Sequence, residues 1–477
     1  MMTRRSGRNS RRIDYAALNE SSTLQELNVH PQINNFKNFK SIEPLNELIC
    51  LINDDDTTNE YKQYYNSNGQ FDDESLRKLV EDTRLVKPIL IRGANPQIKE
   101  TYNENIKISF NIPNNNIEEL TEKIGSNVKV PVMDVMTQNN SPRWDMKRWC
   151  EYFSTEKSKR DKIRNVISLE ISDTKLGEEI KIPKVVEELD IISKLFENEG
   201  EGNDENLSEM LIRNGINKPK VQKYILMSVE GSFTDFHIDF AGTSVYYSPI
   251  CGHKKFLMIP PLNCNLKAYS KWCLSDNQNK IWFPSLIKQY NRKEFIKMQK
   301  DEKLPNAYLN NGFIVDIMPG DLLLLPSMWI HSVLTVKDSL IIGGNFLNLL
   351  SLENHLKAHK IEMETRVNDQ FKFPNFIKFI WIIAYYLREN ININLGEDSS
   401  YGIKCYENLV NFLHEQWRYV NSKTLLKREK HNANKIKYSI PRDIVGHNIE
   451  EFLKSMDQWL NGKSNSNSNS NKRQRIT

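Results

Sequence analysis

Five short runs rich in β-branched and aliphatic residues, most of them closed by glycine or proline, constrain this chain more than any other feature. They are "NVISLEIS" (165–172), "VQKYILMSVEG" (221–231), "KKFLMIPP" (254–261), "GFIVDIMPGDLLLLPS" (312–327) and "DSLIIGGNFLN" (338–348). Side chains of this kind suit a pleated, buried surface, and Gly or Pro ends the run because it weakens or breaks the ladder. Many short strands at irregular spacing point to a sandwich, a jelly roll or a barrel. A further strand is expected in "KVPVMDVMTQ" (129–138).

Helices frame this β-rich centre. "DDESLRKLVEDTRLVKPILIRGANP" reads as a short charged helix running into a strand that stops at Gly93 and Pro96. "SPRWDMKRWCEYF" offers Ser141 as N-cap and Pro142 at the first helical position, with Trp149 and Phe153 four apart on one face. From about 351 to 462 the chain turns helical and basic. Its apolar run "FIKFIWIIAYYL" (376–387) contains Lys378 and falls short of the roughly 20 residues a membrane span needs. It is expected as a buried helix.

At 477 residues the chain exceeds one ordinary domain. The expected class is mixed β and α, divided into five parts. Residues 1–40 form a disordered basic N-terminus and 41–160 an α/β support region. The β domain covers 161–365, a helical region 366–462, and a low-complexity basic tail 463–477. The tail alternates Ser and Asn, a composition that cannot bury a core. Its Lys472, Arg473 and Arg475 could serve nuclear import. The arginines near the N-terminus have no apolar stretch behind them, unlike a secretory signal.

"DFHIDF" (235–240) carries the chemistry. On an extended strand, side chains at i and i+2 share a face, so His237 and Asp239 point together while Phe236, Ile238 and Phe240 point away. A histidine nitrogen and a carboxylate oxygen on one face suit a divalent ion, and a second histidine would complete the facial triad of non-haem iron oxygenases. His331, in "LLLLPSMWIHSVLTV", sits where one strand ends at Pro326 and the next begins, so its imidazole can project from the same sheet.

The flanking blocks carry a resemblance. "VMDVMTQ", "NVISLEIS", "TKL", "VQKYILMSVEGSFTDFHIDFAGTSVYY", "LMIPP", "LLLLPSMWIHSV" and "IIGGNFLN" follow, in order over roughly 130–375, the JmjC-domain histone demethylase 1 class. This resemblance implies a double-stranded β-helix of jelly-roll, cupin-like type with flanking helices. It implies Fe(II) on His237, Asp239 and His331, and 2-oxoglutarate as co-substrate with dioxygen. Thr234 and Lys254 would hold the far carboxylate of that co-substrate. The implied reaction demethylates mono- or dimethylated lysine 36 of histone H3, releasing formaldehyde, succinate and CO2 in the nucleus.

A lysine on a cavity-facing strand is a sensible counter-charge, and alternation turns its neighbour Lys255 away. Thr234 fits less well: an offset of three from His237 predicts the opposite face, so a bend near Asp235 is required. Met136 stands where animal relatives carry an asparagine that helps hold 2-oxoglutarate, Ala241 where glycine is usual, and Tyr246 where tryptophan is usual. The 92-residue interval from 239 to 331 is long for the class, the surplus lying in 275–306. Members of the class often carry PHD or CXXC zinc modules, yet the six cysteines contain no C-x-x-C pair.

Net charge is only +4, so any contact with nucleic acid must be local. "KTLLKREKHNANKIK" (423–437) sets six basic residues against one acid and could give a weak, salt-dependent contact with DNA of the nucleosome. His355 and His359 have helical i, i+4 spacing and read as a solvated face. Cys251, His253, Cys264 and Cys273 match no standard zinc spacing. The reading is an active demethylase; the alternatives are a catalytically weak or inactive JmjC chromatin-binding protein and a protein hydroxylase.

Overall fold

A computed structural model of the chain describes residues 30–41, 48–51, 61–137, 139–141, 144–197, 206–287, 289, 312–389 and 399–473. Thirteen strands are present among them. In chain order they are β1 (Ile49–Leu51), β2 (Phe71–Asp72), β3 (Ile89–Ile91), β4 (Ile106–Lys107), β5 (Val132–Asp134), β6 (Asn139–Ser141) and β7 (Arg164–Glu170). They continue with β8 (Tyr224–Ser228), β9 (Phe233–His237), β10 (Ser244–Ile259), β11 (Phe313–Ile317), β12 (Leu322–Leu325) and β13 (Ile330–Phe346).

Two strands, β10 and β13, are 16 and 17 residues long, and they organise everything else. They pair antiparallel from end to end, with register shifts between Pro249 and Lys254. Those irregularities bend both strands, and a bend of this kind lets one strand serve two sheets. Gly252 sits at the corner with φ +91, where an added Cβ would lie 2.3 Å from the Asp338 carbonyl oxygen. The half from Ser244 to Pro249 joins a larger sheet in the order β1-β3-β12-β10-β13-β8-β7-β5-β6. The half from Lys254 to Ile259 joins a smaller one, β11-β10-β13-β9. This is the double-stranded β-helix that the resemblance implied.

Between the two sheets lies an apolar filling. Tyr247, Leu323, Leu325 and Ile341 come from the larger sheet, and Phe256, Met258, Phe313, Val315 and Val333 from the smaller. Tyr247 and Phe256 meet edge to face across it at 5.1 Å. The outer face of the larger sheet is covered by the segment up to residue 189, including helix Asp73–Thr83. The outer face of the smaller sheet is covered by helix Asn263–Cys273 and by Phe283 and Ile287 of the long interval before His331. A separate apolar core unites the C-terminal helices around Trp381, Leu409 and Phe452. The 376–387 run is buried helix within it, as its composition predicts. No helix among the described residues is long and apolar enough to cross a membrane.

Three expectations are corrected. Helix Ile33–Lys37 lies inside the stretch expected to be disordered; Ile33 and Phe36 are buried, and Phe36 meets Phe233 edge to face at 5.8 Å. Residues 1–29 lie outside the described residues. Ser141 belongs to strand β6, and the helix after it starts at Met146, where Asp145 accepts from the Arg148 N–H. An aspartate caps as well as a serine, and this one stands next to the buried face of Met146, Trp149 and Tyr152. The last helix, Ile449–Arg473, runs through the Ser-Asn repeat. Propagation from a packed helix costs far less than nucleation, which composition alone does not reveal.

Candidate metal centre

Strands β9 and β13 run antiparallel and set His237 directly opposite His331. Residues opposed in this way share a face, so both imidazoles stand on the inner surface of the smaller sheet, ring centroids 4.2 Å apart. Asp239, just past the end of β9, brings Oδ2 to 3.9 Å from His331 Nε2. One ligand atom from each of the three lies within 4.8 Å of the others, a grouping found nowhere else among the described residues.

The protons on these imidazoles are fixed by the backbone. His237 Nδ1 lies 2.9 Å from the Asp235 carbonyl oxygen, and His331 Nδ1 lies 3.1 Å from that of Trp329. A carbonyl only accepts, so each Nδ1 carries the hydrogen and each Nε2 keeps its lone pair for a metal. Burial, with the charge of His237, holds His331 well below the ordinary imidazole range. Burial also raises the Asp239 carboxyl, against the pull of His237 and a hydrogen bond from Asn345. A divalent cation needs unprotonated imidazoles and reverses the penalty on the carboxylate, so this donor set fits Fe(II).

Lys254 lies on the same face. Its partner across the ladder is Thr335, two and four residues beyond Val333 and His331 on β13. The side chain is only 4% exposed, and Nζ donates to Ser228 Oγ at 2.8 Å, which in turn donates to Asn165 Oδ1 at 2.6 Å. Among the described residues no carboxylate answers this ammonium, and burial alone pushes it down to about 7. A buried cation without an anion is costly, and the carboxylate of a ligand relieves that cost. Lys255 points the other way, 3.4 Å from Asp316.

The Thr234 parity problem has a structural answer. His331 pairs with His237 and Val333 with Thr234, so three steps on β9 match two on β13. The extra residue is a β-bulge at Asp235–Phe236, where the Asp235 carboxylate accepts from the Phe236 N–H at 2.8 Å. The bulge restores Thr234 to the face of His237, and Phe236 turns outward against Trp272 and Trp282.

Sequence reasoning missed Ser228, Asn165 and Asn345. Ser228 ends the otherwise apolar strand Tyr224–Ser228, which is the signal that could have found it. His355 and His359, expected on a solvated face, are buried, at 1% and 7% exposure. Helix Leu352–Thr365 packs His355 on the turn after Asp239 and His359 against Phe376 and Phe412. Cys251, His253, Cys264 and Cys273 form no ligand cluster; His253 Nε2 is bonded to Asp316 at 2.5 Å. Met136 lies in the turn after β5, its N–H donating to Asp134 at 3.0 Å.

Comparison with known proteins agrees with this architecture. Residues 6–348 match the cupin-like domain family, and residues 350–460 match the Jumonji helical domain. Relatives named JmjC domain-containing histone demethylation protein 1 include that of Debaryomyces hansenii, 37% identical over 402 residues, covering 83% of this chain and 69% of the relative. The Candida albicans relative is 38% identical over 392 residues, 81% of this chain and 70% of its own. That of Saccharomyces cerevisiae is 34% identical over 381 residues, with 80% and 67% covered. With a double-stranded β-helix, a candidate metal site of two histidines and one aspartate and a C-terminal helical domain in these positions, the chain belongs to the family of JmjC domain-containing histone demethylation protein 1.

Proposed function

We propose that this protein is an Fe(II)- and 2-oxoglutarate-dependent histone lysine demethylase of the nucleus, acting on mono- and dimethylated lysine 36 of histone H3. The observation that carries this reading is the shared inner face of His237, Asp239, His331, Thr234 and Lys254, with a buried ammonium that lacks an anion among the described residues. His237, Asp239 and His331 would hold the iron and leave the remaining positions to ligands. Lys254, steadied by Ser228, and the hydroxyl of Thr234 would hold the far carboxylate of 2-oxoglutarate. Phe256, Met258 and Val333 wall the same face and exclude water. When bound, iron with 2-oxoglutarate and dioxygen supplies the oxidation of an N-methyl group, whose hydroxylated product releases formaldehyde while the co-substrate leaves as succinate and CO2.

The histone enters through the names of the relatives, and the choice of lysine 36 through the class resemblance. Helix Lys427–Ser439 carries exposed Lys427, Lys430 and Lys435 and supports a weak contact with nucleosomal DNA. The test incubates the protein with Fe(II), 2-oxoglutarate and a panel of methylated histone H3 peptides, following peptide mass and formaldehyde together. Loss of methyl mass from lysine-36 peptides with matching formaldehyde supports the proposal. Hydroxylated peptide without formaldehyde supports a hydroxylase, and succinate release equal in wild type and Asp239→Ala refutes both.

A further inference from the structure

The turn that carries Asp239 is held in a conformation its own sequence does not favour. Residues Phe240–Gly242 form one 3-10 turn, in which Ala241 has φ +49 and Gly242 φ +57. At position 242 glycine is required, because an added Cβ would lie 2.8 Å from the Ala358 Cβ and 3.0 Å from the Met328 sulfur. For Ala241 the left-handed region costs on the order of 1 kcal/mol, so neighbouring structure must hold it there.

Helix Leu352–Thr365, the first of the Jumonji helical domain, does so from both sides of the residue. Glu362 Oε1 accepts from the Ala241 N–H at 2.7 Å. His355 Nδ1 donates to the Ala241 carbonyl at 3.0 Å, while its Nε2 accepts from the Asn348 N–H at 3.2 Å. Both side chains are buried, Glu362 at 8% and His355 at 1% exposure. Among the described residues, the bond to Ala241 is the one hydrogen bond the Glu362 carboxylate makes. A carboxyl buried for a single bond to the backbone is an expensive way to build a helix interface, and an apolar residue of similar volume would pack there at less cost.

We propose that Glu362 is a positioning residue: through the Ala241 N–H it fixes the 240–242 turn, and with it the Asp239 carboxylate, so that the helical domain sets the metal affinity of the β domain. His355 completes the clamp from the carbonyl side. This inference rests on the reading that His237, Asp239 and His331 hold a divalent ion.

The experiment is calorimetric titration of the full chain with Mn(II), an air-stable stand-in for Fe(II), with melting temperatures measured alongside. Glu362→Met keeps the volume and removes the acceptor, and it should weaken Mn(II) binding about 10- to 100-fold, the range for a residue that orients a ligand. Glu362→Gln retains an acceptor oxygen in the same place and should restore most of the affinity. Glu362→Ala, which loses the acceptor by truncation, should show the same deficit as Glu362→Met. Equal Mn(II) affinity in wild type and Glu362→Met, or a deficit in Glu362→Gln as large as in Glu362→Met, overturns the proposal. Absence of Mn(II) binding by the wild type overturns instead the metal reading beneath it.

Discussion

Lys254→Met should make the free protein more stable and deaf to its co-substrate. The Lys254 ammonium is buried beside one neutral hydroxyl, and burial pushes it from an ordinary 10.5 to about 7. Each unit of such a depression is worth about 1.4 kcal/mol. Between about pH 7 and pH 10.5 the unfolded chain binds more protons than the folded one, so native stability rises with pH through that window and the whole cost is present below it. At pH 7 the cost is on the order of 4 kcal/mol. Methionine fills nearly the same volume without charge, and Ser228 keeps its bond to Asn165 at 2.6 Å. Denaturant unfolding at pH 7 and pH 9 should therefore give a larger unfolding free energy for the variant at pH 7 and a smaller gain on going to pH 9. In the presence of Mn(II), 2-oxoglutarate at a hundredfold excess over its dissociation constant should stabilise the wild type by about 2.7 kcal/mol and leave the variant unchanged. A variant less stable than wild type at pH 7, or one that keeps the co-substrate shift, would refute the assignment of Lys254.

Three further outcomes are expected. Thr234→Val should weaken 2-oxoglutarate binding by the worth of one hydrogen bond to a charged group, about 1.5–3 kcal/mol, without lowering the melting temperature, as read by calorimetric titration. Trp381→Ala should destabilise the helical domain by about 3–5 kcal/mol in denaturant unfolding, because a fully buried ring in contact with Phe452 is removed. Replacing Lys427, Lys430 and Lys435 by serine should weaken DNA binding uniformly across sequences and flatten its salt dependence by roughly 0.9 per lost phosphate contact, measured by fluorescence anisotropy.

Much of the site was legible because strand alternation is a strict rule. The opposite orientations of Lys254 and Lys255 and the placement of His331 at a strand start hold in the structure, and Asp239 meets both histidines although β9 ends at His237, two residues before it. Thr234 shows how a rule can inform by failing: its wrong parity demanded a bend, and the bulge at Asp235–Phe236 provides it. What stayed hidden depends on contacts distant in sequence. His355 and Glu362 sit in "LENHLKAHKIEMET", whose mixed charges read as a solvated helix until the 240–242 turn is laid against it. Residues 30–37 look unstructured alone because their partners, Phe233 and the backbone at Asn279, lie some 200 positions or more away. Asn345 gives no sign in "IIGGNFLN" that it bonds Thr243 and steadies Asp239.

The central claim is that two imidazoles and one carboxylate gather a single iron, beside a lysine that receives its co-substrate. Anaerobic addition of Fe(II) and 2-oxoglutarate produces a charge-transfer absorption only when the co-substrate chelates the bound metal. Titration should reach its end point at one iron per chain in the wild type, and the band should be absent from His237→Ala, Asp239→Ala and His331→Ala. A band of wild-type intensity in any of these three variants would contradict the account.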